Sequence, residues 1–416
     1  MRRVDPALIV ILAGVSAALH VGKLPPALPV LRETLGLTLL QAGFLLSLVQ
    51  LAGMTLGLAV GLAADGLGLK RSMVSGLLIL FGAGALGGWA LDVPAMLSLR
   101  AIEGFGFLLA SMPAPSLIRL LVPPQRMNAM LGLWGAYMPF GTAVALLCGP
   151  FVIAAAGWQT WWWILAALSL VMALWMWLAL PSDSLRTAAA LAQPTQGGPF
   201  EGWPGRLRQT LSSRGPWLVA LTFAMYSGQW LAVIGFLPSI YAQAGLSAGI
   251  SGALTALAAL VNMGGNIVSG RLLQRGWQPE VLLWIGFATM GAAGLAAFAV
   301  VGGSALPLVP RYLAVLLFSM VGGMIPGTLF SLAVALAPSG RTVSTTVGWM
   351  QQWSSLGQFA GPPLVAWVAG LAGGWHWTWV VTGGCALAGG ALALAIGRLL
   401  ERRQRATAGA SRQLGR

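Results

Sequence analysis

Twelve stretches of predominantly apolar residues run along the chain, each long enough to cross a bilayer as a helix. They lie near residues 7–31, 39–63, 72–91, 95–118, 127–152, 158–180, 216–241, 249–270, 280–302, 307–334, 344–370 and 375–398. A hydrocarbon core takes roughly 20 helical residues. The stretches are continuous rather than short and alternating, which excludes the strands of a membrane barrel. The first is too long for a signal peptide and lacks a small-x-small cleavage site. The pattern predicts an all-α membrane protein of twelve transmembrane helices. One long polar interruption, carrying Pro194, Pro199, Pro204, Gly197 and Gly198, divides them six and six. The expected organisation is an N-terminal six-helix bundle over 1–182, a cytoplasmic linker over 183–214, a C-terminal six-helix bundle over 215–400 and a basic tail over 401–416.

Composition agrees. Hydrophobic residues make up 57% of the 416, and charged residues only 8%, against about 25% in a soluble domain. The formal charge of +14 raises the question of nucleic acid, but the basic residues sit between apolar spans and in the tail. That is a topology signal. With the N-terminus in the cytoplasm, nineteen Lys and Arg fall inside and one, Arg32, outside; Lys23, Arg100 and Arg311 lie within spans. Both termini are therefore expected in the cytoplasm. Cys148 and Cys385 sit in different halves, so neither a disulfide nor a metal site is expected. No phosphate-binding loop appears, so no cofactor and no ATP-driven pumping is expected. The two histidines lie in different halves, an arrangement that speaks against an enzyme. Arg outnumbers Lys by 21 to 2, as in GC-rich bacterial genomes, which would place the chain in a bacterial inner membrane.

The halves repeat. Leu28-Pro29 recurs as Leu237-Pro238 and Gly61 as Gly270, both 209 residues on. Arg100 recurs as Arg311 and Gly149-Pro150 as Gly361-Pro362, at 211 and 212. Paired six-helix halves with a site between them describe a secondary transporter.

The segment GLAADGLGLKR (61–71), between the second and third spans, carries Gly61, Asp65, Gly68, Lys70 and Arg71. In this order they resemble the signature of the major facilitator superfamily, with Gly66 where a basic residue is usual. A weaker copy is GRLLQRG (270–276), with Gln274 in place of the acid. LSLRAIEGFGF (97–107), with Arg100 and Gly104, resembles a second signature. Gly149-Pro150 resembles the core of the antiporter signature, but Ala136 and Ala145 replace its flanking glycines. HVGKLPPALP (20–29) and GQFAGPPL (357–364) are similar to cyanate-permease-like members. The resemblance implies alternating access, a cavity lined by helices 1, 4, 7 and 10, and usually a monomer. It also implies a cytoplasmic latch at 61–71, in which Asp65 would cap the start of helix 11 near Ser344.

A charge inside a span costs a few kcal/mol at least, so it needs a reason. The candidates are His20 and Lys23 on helix 1, Arg100 and Glu103 on helix 4, and Arg311 on helix 10. Members of each pair are three apart and share a face. If Glu103 pairs with Arg100, then Lys23 and Arg311 are left without carboxylates, which favours an anion between them. Gln229, at the helix-7 position equivalent to His20, would complete the walls with Tyr226, Tyr137, Trp134 and Gln351. Arg311 and Lys23 could instead snorkel outward, Arg100 with Glu103 could be a structural pair, and His20 an ordinary interior histidine. The tryptophans of GWQTWWW (157–163) and GWHWTW (374–379) read as an interfacial belt. The expected solute is a small organic carboxylate or inorganic anion, with protons a possible coupling ion through Glu103 or His20. The competing readings are efflux of lipophilic cations and a membrane sensor or enzyme without transport.

Overall fold

The computed structural model describes residues 4–183, 203–301 and 304–414; side chains at 60–67, and at Arg341 and a few other positions, fall outside it. The described chain is helical apart from short connections and one two-residue hairpin, Val300–Val301 against Ser304–Ala305.

Local chemistry sets the helix ends. The first span joins α1 (Pro6–Gly22) and α2 (Leu24–Leu35). Asp5 caps α1 by accepting from the Ala7 amide, with Pro6 in the first turn. Gly36, at φ 64°, ends α2 in the left-handed conformation. Thr38 and Gln41 form a capping box that starts α3 (Leu39–Ser47), which leads into α4 (Leu51–Leu67). The third span is α5 (Leu69–Gly87). The fourth is α6 (Val93–Ser111), capped by Asp92, with α7 (Ala114–Leu121). After α8 (Pro124–Gly135) comes α9 (Tyr137–Ala179).

At 43 residues α9 would be about 65 Å long, twice the hydrocarbon thickness. Gly157, at φ 82°, breaks it into two spans. The second half of the chain holds α10 (Trp203–Leu211), α11 (Arg214–Gln243), α12 (Ala248–Gln274), α13 (Pro279–Phe298), α14 (Leu308–Gly322), α15 (Met324–Leu336), α16 (Val343–Ala372) and α17 (Thr378–Leu414). Ten segments among the described residues are long and apolar enough to cross a membrane. Splitting α9 adds one, and α16, long enough at 30 residues but enriched in Gln and Ser, brings the spans to twelve.

Burial is inverted relative to a water-soluble protein. Leu91, Leu178, Leu371 and Leu387 are more than 70% exposed, while His20, Lys23, Arg100, Glu103 and Gln229 are buried. Lipid, not water, is the solvent this surface suits.

The chain forms two compact units. The first comprises Met1–Glu201, Leu231–Leu260 and Gln358–Leu371; the second comprises Gly202–Trp230, Val261–Gly357 and Ala372–Arg416. The boundary thus cuts α11, α12 and α16 instead of following the linker alone. Within the first unit, α5 and α6 approach through Gly76 and Gly106: a Cβ on either would sit 2.6–2.8 Å from the other's carbonyl oxygen. Small residues are how membrane helices come close enough to pack. Gly43 of α3 meets Pro362 and Pro363 of α16, Gly252 of α12 meets Pro150 of α9, and Gln50 donates to Gln358 at 3.0 Å. Within the second unit, α11 and α16 cross at Gly228 and Gly357, and Ser227 donates to the Ser354 carbonyl at 2.8 Å.

The start of α5 is held by the end of α9. The Lys70 and Arg71 amides each donate to a different oxygen of Asp183 at 3.0 Å, and Lys70 Nζ donates to the Trp177 and Leu180 carbonyls at 2.7 and 2.6 Å. An anion sits at one helix N-terminus and a cation at another's C-terminus, each where the helix dipole favours it. Asp183 is therefore a helix cap, although the sequence reading grouped it with the linker. Gly61 and the Asp65 side chain, on which the expected latch depends, fall among the positions 60–67 whose surroundings lie outside the described set, and 184–202 lies outside it altogether.

Candidate functional site

Pro25 and Pro26 remove the amide donors that would bond to the Val21 and Gly22 carbonyls, and the first span is interrupted at Lys23. His20 and Lys23, three apart, project from the same side of this break into the first unit. Both are fully buried.

Glu103 of α6 reaches across to them. Its Oε1 accepts from Lys23 Nζ and its Oε2 from Arg100 Nη1 at 2.8 Å; His20 Nδ1 lies 3.5 Å from Oε1. Arg100 also straps the neighbouring backbone. Its Nη1 donates to the His20 carbonyl at 2.6 Å and its Nε to the Leu45 carbonyl at 3.1 Å. The expectation that Lys23 lacks a carboxylate is thereby corrected: one carboxylate serves both cations, an oxygen each. The three ionised groups still sum to +1. The buried Nη2 of Arg100 has no hydrogen-bond partner among the described residues.

The second helix of α9 closes the cluster. Lys23 Nζ lies 4.6 Å from the centroid of the Trp162 ring, a cation–π contact, and Trp161 Nε1 donates to the Lys23 carbonyl at 3.2 Å. His20 Nε2 lies 2.9 Å from Ser169 Oγ, which is 3.4 Å from Ser16 Oγ. Gly84 of α5 leaves the room His20 needs: a Cβ there would be 3.2 Å from the ring. The tryptophan run is therefore not a belt throughout. Trp158, Trp161 and Trp162 are buried, and Trp163 faces outward. Ser16, Ser169, Gly84, Trp161 and Trp162 escaped the sequence reading. Their signal was present, since Ser16 shares the His20 face and Ser169 is the lone hydroxyl in an apolar run.

The other expected residues lie elsewhere. Trp134 and Tyr137 stack at a centroid distance of 4.0 Å and pack against Gly14. Gly14 is nine residues before Lys23, about 13 Å along the helix, so these aromatics are not beside the cluster. In the second unit, Asn262 Nδ2 donates to Tyr226 Oη at 2.9 Å and to the Ser319 carbonyl at 2.8 Å, and Trp230 Nε1 donates to Ser319 Oγ at 3.0 Å. Gln229 is fully buried. Its Nε2 donates to the Met225 carbonyl, and its Oε1 has no partner among the described residues. Gln351 is half-buried on α16. Arg311 is half-buried in the first turn of α14, where its Nε donates to the Ala297 carbonyl at 2.7 Å beside the hairpin. It holds a helix connection. Among the described residues no group of three or more His, Cys, Asp or Glu is arranged to hold a metal.

Three comparisons bear on this geometry. The profile of the Major Facilitator Superfamily matches residues 7–362. The cyanate transport protein CynX of Escherichia coli (strain K12) is 25% identical over 266 residues, 63% of this chain and 65% of that protein, so the match spans less than two thirds of that relative's length. Among solved structures, a bacterial homologue of the human lysosomal transporter Spinster, in an inward-facing and occupied conformation, aligns at a TM-score of 0.74 and 18% identity, covering 94% of this chain and 96% of its own. A D-xylose–proton symporter aligns at 0.70 and 17%, covering 94% and 96%. At these identities the structures are alike in fold.

Proposed function

The chain belongs to the Major Facilitator Superfamily, and from that premise we propose that it carries a small anion across the membrane by alternating access. The observation that carries the reading is the Lys23–Arg100–Glu103 cluster. Two cations are buried in different spans, share one carboxylate, and leave Arg100 Nη2 without a partner among the described residues. A buried excess of positive charge is costly unless something offsets it. A small anion does so, and a guanidinium nitrogen with two N–H groups that find no partner among the described residues suits small oxyanions. The cyanate transport activity in the name of the Escherichia coli relative is of this class, and cyanate is the first solute to try. The basic residues between spans favour a topology with both termini in the cytoplasm.

The test is thermal unfolding of purified protein against cyanate, bicarbonate, nitrate, formate and acetate, with tetraphenylphosphonium as a lipophilic cation. A ligand that binds the native state raises its apparent stability. Anions are expected to stabilise the wild type and to lose that effect in Lys23→Met, where Arg100 and Glu103 balance to zero. Stabilisation by the cation alone, unchanged in Lys23→Met, would replace this reading with lipophilic-cation efflux.

A further inference from the structure

The charge of the buried cluster hangs on one proton. Arg100 keeps its proton in any protein, and Glu103 balances it. An ammonium has no lone pair and can only donate, so His20 Nδ1 accepts from Lys23 Nζ, at 3.4 Å. The ring's own proton then sits on Nε2 and points at Ser169 Oγ, at 2.9 Å. In this arrangement His20 is neutral, and Lys23 carries the excess charge.

The surroundings of Lys23 are closed on every side. From α6 it meets Glu103, with Arg100 behind; from α5, Gly84 lies against His20; from α9 come Trp161, Trp162 and Ser169. Among the described residues no second carboxylate lies within ion-pair distance of Lys23. The proton does have somewhere to go. His20 is in reach, and Ser169 Oγ on α9 and Ser16 Oγ on α1 continue the line.

We propose that Lys23 and His20 together hold the coupling proton of transport, which makes the cluster cationic while it is present and neutral once it has left. The inference rests on the anion reading and supplies its energy source. An anion is held while the proton is present and freed when it departs, so the two move together. In the step itself, the Lys23 Nζ–H bond breaks and its electron pair stays on nitrogen. The lone pair of His20 Nδ1 takes the proton while Nε2 gives its own to Ser169 Oγ, whose hydroxyl proton moves to Ser16 Oγ, and Ser16 releases its own hydroxyl proton to water that enters when the site opens. Lys23 ends as a neutral amine, His20 ends as the other neutral tautomer, and one positive charge leaves the cluster.

The chain has only two lysines, Lys23 and Lys70, so the titrating nitrogen can be watched directly. Protein labelled with nitrogen-15 lysine, in lipid, should show two side-chain signals by solid-state NMR. Lys23→Arg assigns one by its loss; Lys70→Arg assigns it by elimination if the first variant does not fold. The Lys23 signal is expected to move from the ammonium to the neutral-amine position as pH rises within the range where the protein stays folded, with a changed midpoint in His20→Gln. Lys70, whose ammonium donates to two carbonyls, should stay put as the internal reference. A Lys23 signal that remains ammonium at every pH where the protein is folded overturns the proposal. Cyanate stabilisation measured over the same pH range separates the two readings. Stabilisation without titration keeps the anion and discards the proton; titration without stabilisation by any anion discards the anion and keeps the proton.

Discussion

Replacing Glu103 with Gln isolates the charge logic of the cluster, because the two side chains have nearly the same shape. Glu103 is 2% exposed and gives one oxygen to Lys23 and the other to Arg100. Gln keeps one acceptor and turns the other into an amide that presents N–H groups to a cation. Arg100 retains the His20 and Leu45 carbonyls, and Lys23 retains His20 and the Trp162 ring. Those contacts exist in both proteins, so they offset none of the loss. Removing one partner of a buried ion pair costs about 3–5 kcal/mol, a shift of roughly 140- to 3,700-fold in the folded-to-unfolded ratio at about 1.4 kcal/mol per tenfold. Denaturant unfolding in lipid–detergent micelles, read by near-ultraviolet circular dichroism, measures it. The variant should also gain more stability from added cyanate or nitrate than the wild type does, since either can take the carboxylate's place. A Glu103→Gln protein within about 1 kcal/mol of wild type and indifferent to anions, against the cost expected for a broken buried pair, would refute the claim that this carboxylate serves two buried cations.

Two further perturbations test separate parts of the structure. Gly68, at φ 88°, lies directly under the Asp183 carboxylate. Gly68→Ala should cost about 1–2 kcal/mol from backbone conformation alone, plus the crowded cap. Asp183→Ala should restore part of the crowding loss, so a double-mutant cycle by thermal unfolding should be non-additive; strict additivity would mean that the cap does not form. Gln229 buries an acceptor that finds no partner among the described residues. Gln229→Leu should therefore be neutral or stabilising by up to about 1–3 kcal/mol, while slowing solute uptake into proteoliposomes. Lost stability with unchanged uptake would make Gln229 an ordinary packing residue.

The spans, their number and the embedded charges were legible because lipid imposes one rule on every helix: long apolar runs with polar exceptions. Two features were harder to see. The tryptophan run was read by its composition, as an interface, when its spacing said otherwise. Trp158, Trp161, Trp162, Leu165, Ala166 and Ser169 recur at helical intervals and are all buried, whereas Trp163, one residue on and about 100° around the helix, is not. The period that would have exposed the misreading also contains Ser169, the hydroxyl that meets His20. The reach of Glu103 had no such signal. A spacing of three places Arg100 and Glu103 on one face, but nothing in the sequence states how closely α6 approaches its neighbours. That depends on Gly104, where a Cβ would meet the Val49 carbonyl at 2.6 Å, and on the break that Pro25 and Pro26 impose at Lys23.

The shared carboxylate changes what each cation can do under the proposed mechanism. Counting from the sequence, Lys23 is the free charge and the natural ligand for an anion. In the folded chain Lys23 is engaged by Glu103, His20 and Trp162 on three sides, and the donors without a partner among the described residues belong to Arg100. The sum of charge is the same, but its roles are divided. Lys23 sets whether the cluster is positive, because its proton can leave. Arg100 sets what shape of anion fits, because the plane that directs its Nη2 is fixed by the His20 and Leu45 carbonyls. A site built this way separates affinity from selectivity: a change at Lys23 scales binding of all small anions together, whereas Arg100→Lys, which keeps the charge and loses the plane, reorders them.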